Sequence, residues 1–332
     1  MNNYSVGQIG ILGAGGYAGR ELLRILAAHP RASIAWATSE SEAGTPLGEL
    51  VHGAAGPALV RAADADLAAC DCVISCLPHG ESAKWMERAH AAGVRAIDLS
   101  ADLRVPGEAT PLWAREAVYG LPELHRERIA GARLVANPGC YPTAATLALA
   151  PLLRRGLTAG PVIINAASGV SGAGRSPKRE LLFAEVAEGF SAYAAGNVHR
   201  HLAEMRSQAA ALAEGSAPDL VFTPHLLPVK RGILETIYVP LHVPLVGDPA
   251  AIWMDDYAVE PFIQVFGGGR LPALADVVGT NRVALGVTAV RDVAAPMLIV
   301  VAAIDNLRKG AAGQAVQNLN LMFGWPETEA LR

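Results

Sequence analysis

Disulfide chemistry is the first thing the sequence lacks: four cysteines in 332 residues cannot form a stapling framework. Three of them, Cys70, Cys72 and Cys76, crowd into one short apolar stretch with no paired C-x-x-C spacing. His79 lies near them, yet convergent ligands at metal-site spacing are missing, so core roles and no metal are expected. Charged residues are scarce at 17%, and a net charge of −4 gives no basic field for a nucleic-acid backbone. The scatter Arg175, Lys178, Arg179 is too thin to act as a binding stripe. Long apolar runs are also missing. Met297–Ile304 is short, and the run 143–153 is interrupted by Pro151, whereas a bilayer span needs roughly 20 apolar residues. The opening MNNYSVGQIGILG lacks the basic start and long apolar stretch of a leader. These absences leave a reduced, cytoplasmic protein with no membrane or nucleic-acid partner.

What the chain has is apolar residue, 52%, cut into short segments by 34 Gly and 22 Pro. Its length suits one large or two medium domains. Residues 8–12, 33–38, 72–76, 94–98 and 133–137 read as short strands, with helices at 20–28 and about 81–92. Apolar strands alternating with helices predict a parallel sheet covered on both faces. Beyond residue 141 the runs 162–166, 220–222, 234–239, 283–290 and 298–304 are strand-like with fewer helices between them. The expected fold is α/β: a parallel-sheet domain, which the glycine motif described below makes a Rossmann-type dinucleotide-binding domain, plus an α+β substrate domain with a mixed or antiparallel sheet. The expected boundaries are 1–140 with 305–332 for the first and 141–304 for the second. Residues 305–323 look helical despite Gly310 and Gly313, which suggests close backbone packing there, since each Gly costs about 1 kcal/mol relative to Ala.

Four motifs carry chemistry. In GILGAGGYAGREL (10–22), Gly13, Gly16 and Gly19 follow a strand and precede an amphipathic helix, the context of a dinucleotide fingerprint. In ANPGCYPTAATL, Cys140 sits at the mouth of an apolar helix with Pro142 in its first turn. Unsatisfied N–H groups and the helix dipole there favour a thiolate, although a free Cys is as readily a small core residue. In GNVHRHLAE, His201 and Glu204 are three apart and share a helical face, as a general base and its orienting carboxylate would, or as a solvated pair would. His225 competes for the same role, and, followed by Lys230 and Arg231, equally suits holding an anionic substrate. The small residues of INAASGVSGAGRSPK leave room for a ligand near a strand end.

Taken together, GAGGYAGRELLRIL (13–26), LPHG (77–80), IDLSADLR (97–104), YGLPEL (119–124), NPGCYPT (137–143), SGVSGAGR (168–175), HRHLAE (199–204), PHLLPVKRGI (224–233), GTNRV (279–283) and DNLRKGAAGQAVQNLNLMFG (305–324) run nearly end to end. The set resembles the N-acetyl-γ-glutamyl-phosphate reductases, relatives of the aspartate-semialdehyde dehydrogenases. The resemblance implies NADPH-dependent reduction of an acyl phosphate in arginine biosynthesis by a homodimer or homotetramer. It implies Cys140 as nucleophile and His201 as proton carrier, with Arg104, Asn137, His199, Glu204 and Arg231 toward the substrate. It implies Gly13, Gly16, Tyr17, Gly19, Ser39, Ser41, Pro78, Ser168, Gly169 and Asn306 toward NADP(H). Alternative readings are a reductase of N-acetyl-aminoadipyl or carrier-linked glutamyl phosphate, or a non-catalytic NADP-binding regulator.

Three positions depart from the family pattern. Gly15 replaces a usual Ser, HRHLAE has lost a Pro, and Thr38-Ser39-Glu40 stands where Thr-Ser-Arg is common. A carboxylate after the second strand favours NAD, whereas the hydroxyls of Thr38, Ser39 and Ser41 and the resemblance favour NADP(H).

Overall fold

Short strands without polar alternation need cover on both faces, and helices supply it. In the computed structural model, which describes residues 6–213 and 216–332, these strands are β1 (Gly7–Leu12), β2 (Ala32–Ala37), β3 (Cys72–Ser75), β4 (Arg95–Asp98), β5 (Val118–Tyr119) and β6 (Leu134–Ala136). They form one sheet in the order β2-β1-β3-β4-β6-β5, and its pairings are parallel. The Tyr17–Ala27 helix buries Leu22, Leu23, Ile25 and Leu26, the apolar spacing visible in the sequence. Residues 1–5 of the segment read for a leader lie outside the described residues.

The chain divides into two compact units. One holds the described residues up to Gly139 together with Ala311–Arg332, the other Cys140–Gly310. In the second, β7 (Val162–Gly169), β8 (Ser191–Ala192), β9 (Leu220–Leu227), β10 (Ile233–Pro240), β11 (Ile263–Phe266), β12 (Val283–Ala289) and β13 (Met297–Ile304) make a seven-stranded sheet, ordered β11-β12-β13-β10-β7-β9-β8. It is mixed: β7–β9 and β11–β12 are parallel, the rest antiparallel. The short β5, β8 and β11 and the Pro122–Ala130 helix carry no clear periodic signal in the sequence.

One face of the mixed sheet packs on the Cys140–Leu153 helix, whose side chains from Tyr141 onward are all buried. A helix apolar all round belongs in a core. Pro151 does not end it. Proline has no N–H for the carbonyl four residues earlier, which here is Leu147, and the Tyr257 hydroxyl donates to that oxygen at 2.6 Å. Trp253 Nε1 donates to the next carbonyl, Ala148, at 2.9 Å.

The C-terminal helix departs from expectation. Arg308–Ala312 is a π turn, and the α-helix begins only at Gly313. Asp305 sets this geometry: its Oδ1 accepts from Leu307 N at 2.9 Å and its carbonyl accepts from Gly310 N at 3.0 Å. That second bond spans five residues, the π spacing. Among the described residues no helix is long and apolar enough to cross a membrane, and no group of three or more His, Cys, Asp or Glu is gathered as a metal site requires.

Glu235 lies in β10 on the buried face, and among the described residues neither carboxylate oxygen has a hydrogen-bond partner. Burial holds its carboxyl well above the ordinary range, so it stays protonated in the fold. Above the ordinary carboxyl pKa the unfolded chain releases this proton and the folded chain keeps it. Stability therefore falls as pH rises through that window. Glu235→Gln, neutral in both states, should be more stable at pH 8 by on the order of 1–3 kcal/mol, with a smaller difference at pH 5. Urea unfolding at both values tests this, and a difference that does not grow with pH refutes it.

Candidate active site

The glycine turn follows β1. Gly13 takes φ +76°, the left-handed region that glycine adopts freely. Its N–H donates to Thr38 Oγ1 at 3.1 Å, tying the turn to the end of β2. A Cβ on Gly19 would lie 2.5 Å from the Gly13 carbonyl oxygen, so the helix can approach the turn only with glycine there. Around Gly16 the space is open, with nothing nearer than 3.7 Å to such a Cβ. Among the described residues no side chain caps the Tyr17–Ala27 helix, and Tyr17 is exposed at its start. The first N–H groups of a helix have no intrahelical acceptor; with open space over them they fit a dinucleotide pyrophosphate. Pro78 is exposed in the loop after β3, Ser39 is buried, and Ser41 is exposed. Glu40, the residue that set NAD against NADP in the sequence, accepts from Ala62 N at 2.9 Å.

Cys140 opens the buried helix of the second unit and is partly exposed. The π turn packs on it: a Cβ on Gly310 would lie 2.7 Å from the Cys140 Cβ. The first N–H groups of a helix have no intrahelical acceptor, and Cys140 stands at that end. The other thiols are held as thiols. Burial pushes Cys70 up to about 11 and Cys76 to about 12, and raises Cys72 further still.

Asn137 and Arg104, both expected toward the substrate, lie in the first unit. Asn137 is fully buried, and its Oδ1 accepts from Asn318 Nδ2 at 3.0 Å. Arg104 is buried and donates from Nε to the Asn137 carbonyl at 2.8 Å and from Nη2 to Leu99 O at 2.7 Å. These bonds hold the end of β6, from which the 137–139 turn departs.

The histidines of HRHLAE gather around Tyr141. Ring centroids lie 5.6 Å apart for Tyr141 and His199, 5.9 Å for Tyr141 and His201, and 4.9 Å for the two histidines. Tyr141 and Tyr193 share a hydroxyl–hydroxyl hydrogen bond of 2.9 Å, and burial raises both phenols, so both remain protonated. His199 Nδ1 accepts from the His201 backbone N–H at 3.1 Å, capping the His201–Leu212 helix. Burial, with Arg200 beside it, lowers His199 to about 4. It is therefore neutral at physiological pH, and the capping bond leaves its proton on Nε2. Glu204 is buried one turn along the same helix. His225 stands apart. It is three residues from Phe222 on β9, hence on the opposite sheet face, and stacks on Phe190 at 5.2 Å.

Arg231 pairs with the buried carboxylate of Asp305 at 3.2 Å. Asn306 accepts from Gly232 N at 2.7 Å and donates to Ser171 Oγ at 2.9 Å, and Gly169 N donates to the Gly232 carbonyl at 2.9 Å. Ser168 is buried, its hydroxyl donating to Gly169 O at 3.1 Å. The segment 168–171 is thus laced to 229–232. Reading the motifs missed Tyr141, although it adjoins Cys140 in NPGCYPT, and Tyr193, for which no local signal exists.

The first unit is a parallel sheet entered through a glycine turn, and the second a mixed sheet whose buried helix begins at a cysteine. Family models give the class: semialdehyde dehydrogenase, NAD binding domain, matches residues 8–132, and semialdehyde dehydrogenase, dimerisation domain, matches 140–306. Aspartate semialdehyde dehydrogenase II from Vibrio cholerae, solved with ASA, shares the fold with TM-score 0.78 at 21% identity, covering 96% of this chain and 98% of that one. The NADP-bound aspartate semialdehyde dehydrogenase of Candida albicans gives 0.71 at 16% identity, with coverage of 96% and 98%. Far more similar in sequence is the N-acetyl-gamma-glutamyl-phosphate reductase of Neisseria gonorrhoeae strain NCCP11945, 45% identical over 97% of this chain and 96% of the relative. That of Halorhodospira halophila is 44% identical over 98% and 97%. The chain belongs to the N-acetyl-gamma-glutamyl-phosphate reductase family.

Proposed function

We propose that the chain reduces N-acetyl-γ-glutamyl phosphate to N-acetylglutamate semialdehyde with NADPH, releasing phosphate, in arginine biosynthesis. The observation that carries this reading is Cys140 at the mouth of a buried helix, against Gly310 and beside the Tyr141–His199–His201 cluster, in a chain of this family. The Cys140 thiolate attacks the acyl carbon, the carbon–oxygen bond to phosphate breaks, and phosphate leaves behind a thioester. Bound NADPH supplies the hydride that reduces this thioester. The resulting oxyanion collapses to the aldehyde and the sulfur departs as thiolate. His201 carries the proton, Glu204 orients it or contacts substrate, and His199 offers its Nε2–H to substrate oxygen. Arg231, steadied by Asp305, and Arg104 bind the substrate carboxylate or phosphate, with Asn137 also toward the substrate.

The first unit is the NADP-binding domain, with Gly13, Gly16, Tyr17, Gly19, Ser39, Ser41 and Pro78 toward the cofactor. Cys140–Gly310 is the catalytic and oligomerisation domain, and its Ser168, Gly169 and Asn306 are also read toward the cofactor. A cytoplasmic location follows from the need to keep the nucleophile reduced. The test is the reverse reaction: phosphate-dependent reduction of NADP by N-acetylglutamate semialdehyde, with the aminoadipate homologue as comparison. No turnover, or a clear preference for the homologue, defeats the reading.

The oligomer, a homodimer or homotetramer, is built on the open face of the mixed sheet. Val221, Ile163, Tyr238 and Ile299 stand opposite one another on β9, β7, β10 and β13, an apolar row on a partly exposed face. Ile163, 41% exposed, is the centre of that row. Ile163→Glu should shift sedimentation toward the monomer with the fold retained, since a charge is costly to bury unpaired. An unchanged sedimentation coefficient places the interface elsewhere.

A further inference from the structure

Glu40 points to Ala62 N, so the carboxylate that lies against the glycine turn is a different one, Glu42. Arg20, in the second turn of α-helix Tyr17–Ala27, donates from Nε to the Gly15 carbonyl at 3.1 Å and from Nη2 to Glu42 Oε1 at 2.6 Å. The Ser39 hydroxyl, at the end of β2, lies 3.4 Å from Glu42 Oε2. Both charged side chains are 22% exposed, so the pair is reachable from solvent yet fixed. Gly15 is part of the arrangement: a Cβ there would fall 2.7 Å from both Glu42 Oε2 and Ser39 Oγ. A guanidinium, a hydroxyl and a carboxylate thus converge on the junction of the glycine turn and the end of β2. In a dinucleotide fold the adenosine ribose lies over that junction.

We propose that Arg20 is the cation that recognises the 2′-phosphate of NADP(H), and that Glu42 is its counter-ion before binding. The inference rests on the dinucleotide reading of the first unit. A phosphate presents a doubly charged, multi-oxygen acceptor to a planar guanidinium fork, a stronger partner than one carboxylate oxygen. Glu42 sits in a turn whose neighbours Ser41, Ala43 and Gly44 are exposed, so it can swing to solvent when phosphate arrives. The Gly15 carbonyl keeps Arg20 aimed during the exchange, and Ser39 adds a hydroxyl donor to the phosphate. NADH brings only ribose hydroxyls and has no charge to trade for Glu42.

Calorimetric titration of the full chain with NADPH, NADH, 2′,5′-ADP and 5′-AMP decides the matter without turnover. Arg20→Gln should weaken NADPH and 2′,5′-ADP by about 10- to 100-fold and leave NADH and 5′-AMP within about threefold. Arg20→Lys should recover part of the loss, and Glu42→Gln should tighten NADPH by removing the competing carboxylate. Matching thermal unfolding of variants and parent shows that the fold persists. Equal weakening of NADPH and NADH by Arg20→Gln overturns the proposal, as does a loss confined to NADH in Glu42→Gln, which would assign Glu42 to the ribose. A parent chain that binds neither dinucleotide overturns the cofactor reading itself, and this inference with it.

Discussion

Cys140→Ser should lower turnover by at least about 10³-fold while NADPH binding stays as in the parent. A hydroxyl in place of the thiol keeps the size of the side chain and the fit against Gly310. What is lost is the thiolate, the form that helix N–H groups stabilise and that attacks an acyl carbon at neutral pH. A serine ester, even if formed, is also a poorer hydride acceptor than a thioester. Alkylation offers a check on the same residue. Iodoacetamide followed by peptide mass spectrometry should label Cys140 first, because burial raises Cys70, Cys72 and Cys76 and keeps them as thiols. A serine variant with near-parental turnover would end the covalent mechanism, and labelling that favours Cys76 would place the reactive thiol elsewhere.

What the sequence discloses about this site is what lies close along the chain. Gly13, Gly16 and Gly19 declare themselves through a strand, a turn and a helix in immediate succession, and Cys140 through its position before Pro142. Both are local effects, fixed by φ angles and by the unpaired N–H groups of helix starts. Partners brought in from a distance leave no such trace. Nothing near Pro151 announces that Tyr257 will satisfy the Leu147 carbonyl, and nothing near Cys140 announces Tyr193. Glu40 drew attention because it directly follows β2, yet the turn carries Glu42 to Arg20 and turns Glu40 to Ala62. Residues 305–323 illustrate a further limit. Their composition reads as one helix, but Asp305 and the side-chain-free Gly310 impose a π turn that seats on Cys140. The histidine choice is open in motif terms; on β9, strand alternation turns His225 and Phe222 to opposite faces, which no local pattern announces.

That alternation sets up a comparison among three histidines. His201→Asn should cost about 100-fold or more in kcat, with little change in NADPH affinity. Its ring is buried beside Tyr141 and His199, and Glu204 stands one turn along the same helix. His199→Asn should behave differently. The amide oxygen can still accept from the His201 backbone N–H, so the helix cap survives. His199, lowered to about 4 by burial, holds no exchangeable charge near neutrality, so its loss should raise KM more than it lowers kcat. Any limb that the proton carrier imposes on the kcat profile should persist in His199→Asn and vanish in His201→Asn. His225→Asn, on the other sheet face against Phe190, should change kcat by less than about threefold. If His225→Asn proves the most damaging of the three, the proton carrier is on β9 and the Tyr141 cluster serves only to bind substrate.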